Sequence, residues 1–226
     1  MVVTIHQPDF LPWLGFFDRW HKSDLFIVLD DVQFIRRGWQ HRDKIKTKDG
    51  ATWLTVPVVK KGRYDQLIRD VKIDNETNWR DKHLKSIKSN YKKAPNFEDC
   101  FKGIKEIYEK NHLFLIDLNM DFLHLIADKL GIPTPFVFAS DYHIKTTSTQ
   151  RLLDLVKSVD GSAYLTGLGS QGYLDKSLFH KEKIKLVCQK FQHPVYKQLH
   201  EEFIPMLSCL DYLMMETNPC KLLAEI

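Results

Sequence analysis

The stretch VVTIHQPDFLPWLGFF, Val2 to Phe17, decides the fold. Val2-Val3-Thr4-Ile5 is β-branched throughout, as a strand buried on both faces of a parallel sheet tends to be. It runs directly into His6, Gln7, Pro8 and Asp9. Pro8 and Pro12 each fix a φ angle and push Gln7 and Leu11 toward extended geometry, so the loop after the strand is stiff. In open α/β sheets, ligands sit in the crevice beyond the carboxyl ends of the strands. The position makes His6, Gln7 and Asp9 candidate site residues. The same loop also suits a plain strand-to-helix connection with Asp9 as a cap or turn residue.

Leu25-Phe26-Ile27-Val28-Leu29 reads as a second strand, and it too empties into polar residues: Asp30, Asp31, Gln33, then Arg36, Arg37, Gly38, Trp39, Gln40, His41 and Arg42. Further strands are expected at Thr52–Val58, after a turn at Lys48-Asp49-Gly50, and at Phe136–Ala139, Ala163–Thr166 and Ile184–Val187. Between them, apolar periodicity predicts helices over Asn78–Tyr91, Asn96–Glu109, Leu113–Leu130, stopped by Gly131 and Pro133, and Thr149–Val159. This alternation predicts an α/β fold with a mostly parallel, wound, Rossmann-like sheet and a helical middle segment. The chain is expected to form a single domain over residues 1–226, with a helical lobe at about 78–130.

Composition bounds the function. The 226 residues are 43% hydrophobic and 27% charged, which suits an ordinary globular core. No stretch approaches the roughly 18 to 20 apolar residues of a membrane helix, and Met1 leads straight into the first strand without a basic, apolar leader. The expectation is a cytoplasmic protein with no membrane insertion. The net charge of +4, from 33 Lys and Arg against 29 Asp and Glu, is spread rather than gathered into a stripe, which argues against a nucleic-acid partner. Cys100, Cys188, Cys209 and Cys220 show no CxxC pairing and no ligand-like spacing with histidine. They read as reduced, structural thiols, and no metal site is expected.

Two basic clusters occur. Lys82, Lys85, Lys88, Lys92 and Lys93 follow helical spacing and read as a solvated face. Arg36, Arg37, Arg42, Lys44, Lys46 and Lys48 flank the candidate pocket and suit an anionic ligand such as a sugar nucleotide or ATP, since a guanidinium fork matches phosphate oxygens. A solvated loop is the other reading. Among the tryptophans, Trp39 is expected to stack on ligand, and Trp13, Trp20, Trp53 and Trp79 read as core anchors. The fifth strand ends in Thr166-Gly167-Leu168-Gly169-Ser170-Gln171-Gly172-Tyr173, where glycines allow backbone amides to approach a phosphate ahead of a helix near Tyr173–Phe179. A glycine turn that lets strand and helix pack is the alternative. The polar run Gln192 to His200 contains His193, which would move protons near neutrality if little perturbed, and Tyr196.

IHQPDFLPWLGFFDRW, LDDVQFIRRGWQHRDKIKT, WLTVPV, NWRDKHLKSI, YKKAPNFE, YLTGLGSQGYLD and HPVYKQLHEEFIP together resemble the successive motifs of the WbqC family, over almost the whole chain. After Asp211 the chain departs from the family's usual residues and reads Tyr212-Leu213-Met214-Met215-Glu216. The resemblance implies a place in the synthesis of bacterial O-antigen and related surface polysaccharides. It implies transfer of an acyl or aminoacyl group, such as glycyl, to an amino sugar that is nucleotide-linked or lipid-linked. That chemistry needs a base, donors for an oxyanion, and ATP or an activated acyl donor. The catalytic candidates are His6, Asp9, Asp30, Asp31 and His193, with the base either His6 or His193. The substrate-binding candidates are Gln7, Trp13, Gln33, Arg37, Trp39, Gln40, Arg42, Thr166, Gly167, Gly169, Ser170, Tyr173 and Tyr196. The alternatives are an ATP-dependent ligase or nucleotidyltransferase-like enzyme, and a non-catalytic protein that binds sugar nucleotides.

Overall fold

A computed structural model of the chain describes residues 1–167, 169, 172, 174–200 and 202–221. Among them the elements are, in chain order, β1 (Val2–His6), α1 (Leu14–His21), β2 (Leu25–Val28), β3 (Arg42–Thr47), β4 (Gly50–Thr55), α2 (Trp79–Tyr91), α3 (Phe97–Glu109) and α4 (Leu115–Leu130). There follow β5 (Phe136–Phe138), α5 (Ser148–Ser158), β6 (Ala163–Thr166), α6 (Lys176–Lys181), β7 (Lys185–Cys188) and α7 (Cys209–Met215). The fold is mixed α/β with a parallel, Rossmann-like sheet. The chain divides into two compact units.

The first unit comprises Met1–Gln7, Gly15–Asp31 and Ile132–Gln192. Its five strands run in the order β5-β2-β1-β6-β7, and all pairs are parallel. Alternation along β1 and β2 sends side chains to opposite faces, and helices cover both. On one face α1 lays Phe16 and Trp20 over Phe26, with the Trp20 and Phe26 rings stacked at 4.6 Å and Phe17 packed against both α1 neighbours. On the other, Val3, Ile5, Ile27 and Tyr164 pack with Leu153 and Val156 of α5 and Phe179 of α6. The central strand is tied across by the Thr4 hydroxyl, which donates to the Leu165 carbonyl at 2.9 Å.

The second unit comprises Pro8–Leu14, Val32–Gly131 and His193–Ile226. The strand expected at Thr52–Val58 runs Gly50–Thr55 and does not join the parallel sheet; it pairs antiparallel with β3 in a hairpin closed by the turn at Lys48 and Asp49. β3 was hidden in a stretch that reads as a basic loop. The helices α2, α3 and α4 follow the expected spans, and α4 stops where Gly131 takes φ +68°. Aromatic residues fill this core: Phe122 meets Phe10 at 5.6 Å and Tyr108 at 5.2 Å. No helix among the described residues is long and apolar enough to cross a membrane.

Candidate functional site

In the first unit the chain builds outward from β1 through β2 to β5, then returns to the other side of β1 for β6 and β7. The direction of winding therefore reverses between β1 and β6, and such a switch point leaves a crevice beyond the two carboxyl ends. Those ends are His6 and Thr166 with Gly167. α1 adds Arg19, a buried cation, whose Nη1 would lie 3.0 Å from a Cβ placed on Gly167. Glycine at this position lets the guanidinium rest against the backbone. Thr166 is buried, and its carbonyl accepts the Gln189 amide at 2.9 Å. The Gln189 side chain in turn donates to the buried Asp18 carboxylate at 2.6 Å, which fixes the α1 end of the crevice.

His6 places Nδ1 2.9 Å from the Gln7 carbonyl, and its ring meets the Phe16 ring edge at 5.0 Å. A carbonyl only accepts, so Nδ1 carries the proton and Nε2 is the basic nitrogen. Burial, reinforced by the charge of Arg19, pulls the imidazole down to about 3. The sequence offers His6 as one of two candidates for the base. The structure keeps His6 neutral across the working range, because the protonated form would have to share a dry site with a guanidinium.

Asp30 lies just past β2, the neighbour of β1. It is buried and accepts the Ser140 amide at 3.0 Å; burial raises its carboxyl above the usual range. Asp31 differs, being held by the Arg151 guanidinium at 2.5 Å. Gln7 is half-buried at the same edge. Gly169 is open, with nothing within 4 Å of a Cβ placed there. Ser170 and Tyr173, also expected to bind substrate, lie outside the described residues.

The other candidates belong to the second unit. The buried Asn119 of α4 donates to the carbonyls of Pro8 and Gln40, each at 2.7 Å, and so pins two motif loops together. Asp9 is buried, and its charge adds to the burial that raises Asp43 of β3 to about 8. Asp43 was not among the expected residues. Gln40 is buried rather than presented, with its amide folded over Gly38, where a Cβ would meet Oε1 at 2.2 Å. Gln33 is exposed and reaches the Tyr64 carbonyl at 3.3 Å. Arg37 is exposed, and its carbonyl accepts Nη2 of Arg42 at 2.7 Å. Trp39 is half-exposed, as a ligand platform requires. Trp53, expected in the core, is 40% exposed and sits 5.4 Å from Trp39.

His193 and Tyr196 are held in packing. The His193 ring stacks on Trp13 at 6.3 Å and meets Phe203 at 6.0 Å, and burial lowers its pKa. The Tyr196 hydroxyl donates to Asp211 at 2.8 Å. Among the described residues no group of three or more His, Cys, Asp or Glu is placed to hold a metal ion.

The raised carboxyl of Asp43 has a thermodynamic signature. A folded-state pKa near 8 against an unfolded value of about 3.9 means that the native state binds the extra proton. The resulting stabilisation is complete below the unfolded value and is lost as pH rises through about 8. The difference in melting temperature between the parent and Asp43→Asn should therefore change steadily between about pH 4 and pH 8 and be flat above. Subtracting the two curves cancels the other titrating groups, and a flat difference throughout would show that Asp43 ionises normally.

A family model described as the WbqC-like protein family matches residues 7–220. The chain is similar to an uncharacterized protein of Mycobacterium tuberculosis, Rv1507c, at 36% identity over 213 residues, which is 93% of this chain and 92% of that protein. No solved structure matches.

Proposed function

The chain belongs to the WbqC-like protein family, and on that premise we propose that it is an enzyme transferring an acyl or aminoacyl group, such as glycyl, to the amino group of a nucleotide-linked or lipid-linked sugar in surface-polysaccharide synthesis. The observation that carries this reading is the crevice at the strand switch point, where a neutral histidine, a buried carboxyl of raised pKa and a buried guanidinium come from adjoining strand ends and the helix packed on them. Perturbed carboxyl and imidazole groups at a crevice are a feature of sites that move protons.

The reaction joins the sugar nitrogen to the acyl carbonyl carbon and breaks the bond from that carbon to its leaving group. The nitrogen must lose a proton as it attacks. Asp30, whose carboxyl holds a proton more readily than an ordinary carboxylate, accepts it in this reading. Nε2 of His6 accepts a hydrogen bond from the incoming amine and orients it. Arg19 beside Gly167 offers charge to the oxyanion that develops on the carbonyl oxygen, or to a phosphate of either substrate. Asp31 is committed to Arg151 and positions the loop.

The reading is tested by incubating the protein with an amino-sugar nucleotide and either an acyl-CoA or an amino acid with ATP, and weighing the acceptor by mass spectrometry. Gain of one acyl group, absent when the acceptor nitrogen is already acylated, is the expected result. An unchanged acceptor with every donor overturns it. Release of pyrophosphate or ADP together with the product would assign the reaction to ATP-dependent ligation.

His6→Asn keeps much of the local hydrogen bonding and removes the imidazole. Turnover should fall by up to about 10²-fold, the cost of a reactant held out of line, because the incoming amine loses the acceptor that orients it. Because His6 stays neutral, the pH profile of the parent enzyme should show no limb near the ordinary histidine pKa. A limb near that value that disappears in His6→Asn would mean that His6 itself titrates during turnover.

A further inference from the structure

The second unit carries a surface that this reaction scheme does not use. Arg42 and Lys44 alternate with the buried Asp43 and Ile45 along β3, so both point outward. Across the hairpin, Trp53 is the direct partner of Lys44. Its indole receives the Arg42 guanidinium at 4.4 Å and the Lys44 ammonium at 4.8 Å. Trp39, half in water, stands against it. The segments that flank the hairpin are joined by Arg36, which donates to the Lys60 carbonyl at 3.2 Å.

Among the described residues none of Arg36, Arg42, Lys44 and Lys60 pairs with a carboxylate. The guanidiniums of Arg36 and Arg42 bond backbone carbonyls, and Nε of Arg42 is buried without a hydrogen-bond partner. Burial and the repulsion of Arg36 and Arg42 push Lys60 below its ordinary pKa. His41, almost wholly buried beside them, is pulled down to about 4 by burial and by Lys60 and Arg42. Positive charge held together at such a cost is relieved by an anion.

We propose that the outer face of the β3–β4 hairpin binds a nucleoside diphosphate, with the base stacked on Trp39 and the two phosphates held by Arg42, Lys44, Arg36 and Lys60. The assignment goes beyond the transferase reading, because it gives the second unit a nucleotide site of its own. Trp53 acts as a positioning residue: its ring holds two flexible cations where the phosphates arrive, so less side-chain freedom is lost on binding. The half-exposed indole of Trp39 explains why the ligand carries a ring as well as phosphate. An inorganic anion would leave that apolar face in water. The four cations lie on one hairpin face and the two segments that flank it, which suits two phosphates better than a long polyanion.

The test uses the full-length protein with UDP, inorganic pyrophosphate and a single-stranded oligonucleotide as probes, read by quenching of tryptophan fluorescence and by calorimetry. UDP should bind more tightly than pyrophosphate. Trp39→Leu should weaken UDP by about tenfold, the size of one base-stacking contact, and leave pyrophosphate unchanged. Trp53→Leu and Lys60→Gln should weaken both probes, and circular dichroism establishes that each variant is folded. Equal affinity for UDP and pyrophosphate, unchanged UDP affinity in Trp39→Leu, or an oligonucleotide that outcompetes UDP overturns the proposal. UDP binding without acyl transfer under any donor supports this site and overturns the transferase reading. Acyl transfer by a protein that does not bind UDP overturns this site and leaves the transferase reading standing.

Discussion

Asp30→Asn is expected to lower turnover by about 10²-fold or more, the usual contribution of a positioned proton acceptor, with the melting temperature unchanged or raised. The two halves of this result have separate causes. An asparagine oxygen still accepts the Ser140 amide, which the carboxylate meets at 3.0 Å, so the loop after β2 keeps its anchor. The substitution also removes a buried group whose charged form is opposed by desolvation and by Asp31. What disappears is the capacity to take a proton. Turnover measured by acceptor mass, alongside calorimetric unfolding, checks both halves; normal turnover would move proton acceptance away from Asp30.

Asp211→Ala is expected to be the most damaging single change in the second unit. Its carboxylate is fully buried and accepts the hydroxyls of Tyr91 at 2.7 Å and Tyr196 at 2.8 Å. Alanine would leave both hydroxyl protons without their acceptor, and one buried donor left unsatisfied costs roughly 1 to 3 kcal/mol, so a loss of roughly 2 to 6 kcal/mol follows. The effect spreads because the network continues. Gln198 joins Tyr196 to the buried Lys46, whose ammonium donates to the Gln198 side chain at 2.9 Å and to the Glu202 carbonyl. Asp211→Asn, which keeps an acceptor oxygen, should lose much less. Urea midpoints for the two variants, and a cycle with Tyr196→Phe, check this, since residues of one network do not add. Equal midpoints for Ala and Asn would show that the hydroxyls find other partners.

The parallel strands were legible because each is a short apolar run ending in polar residues, and the loop after β1 was legible because two prolines bracket it. The hairpin strand β3 was not. Of its residues Arg42-Asp43-Lys44-Ile45-Lys46-Thr47 the buried ones are Asp43, Ile45 and Lys46, so two of the three buried positions are charged and no apolar period of two shows in the sequence. Trp53 was misjudged for a related reason: a large aromatic on a half-buried hairpin faces the core or the water according to register, and composition does not fix register. Arg19 and Asn119 went unnoticed because each sits in a helix that reads as ordinary amphipathic sequence. Nothing in one chain marks a helical Arg or Asn as the residue that reaches a strand end or a loop. The histidines were found by position, but their protonation depends on neighbours, such as Arg19 beside His6, that only the fold brings near.

The central place of β1 also sets the order in which the chain can assemble. β2 is synthesised directly after β1 and α1, whereas β6, the other neighbour of β1, arrives only at Ala163. The continuous run Val32–Gly131 of the second unit is synthesised in between. Joining β6 to β1 closes a loop that long, which costs more entropy than any local contact and is repaid only once the strand docks. At roughly 5 to 20 residues per second, β1 spends on the order of ten seconds with one row of amides and carbonyls unpaired. During that interval it is an open β-edge, the structure that other nascent chains extend, so the segment most central to the finished sheet is the one most exposed to aggregation while the protein is being made.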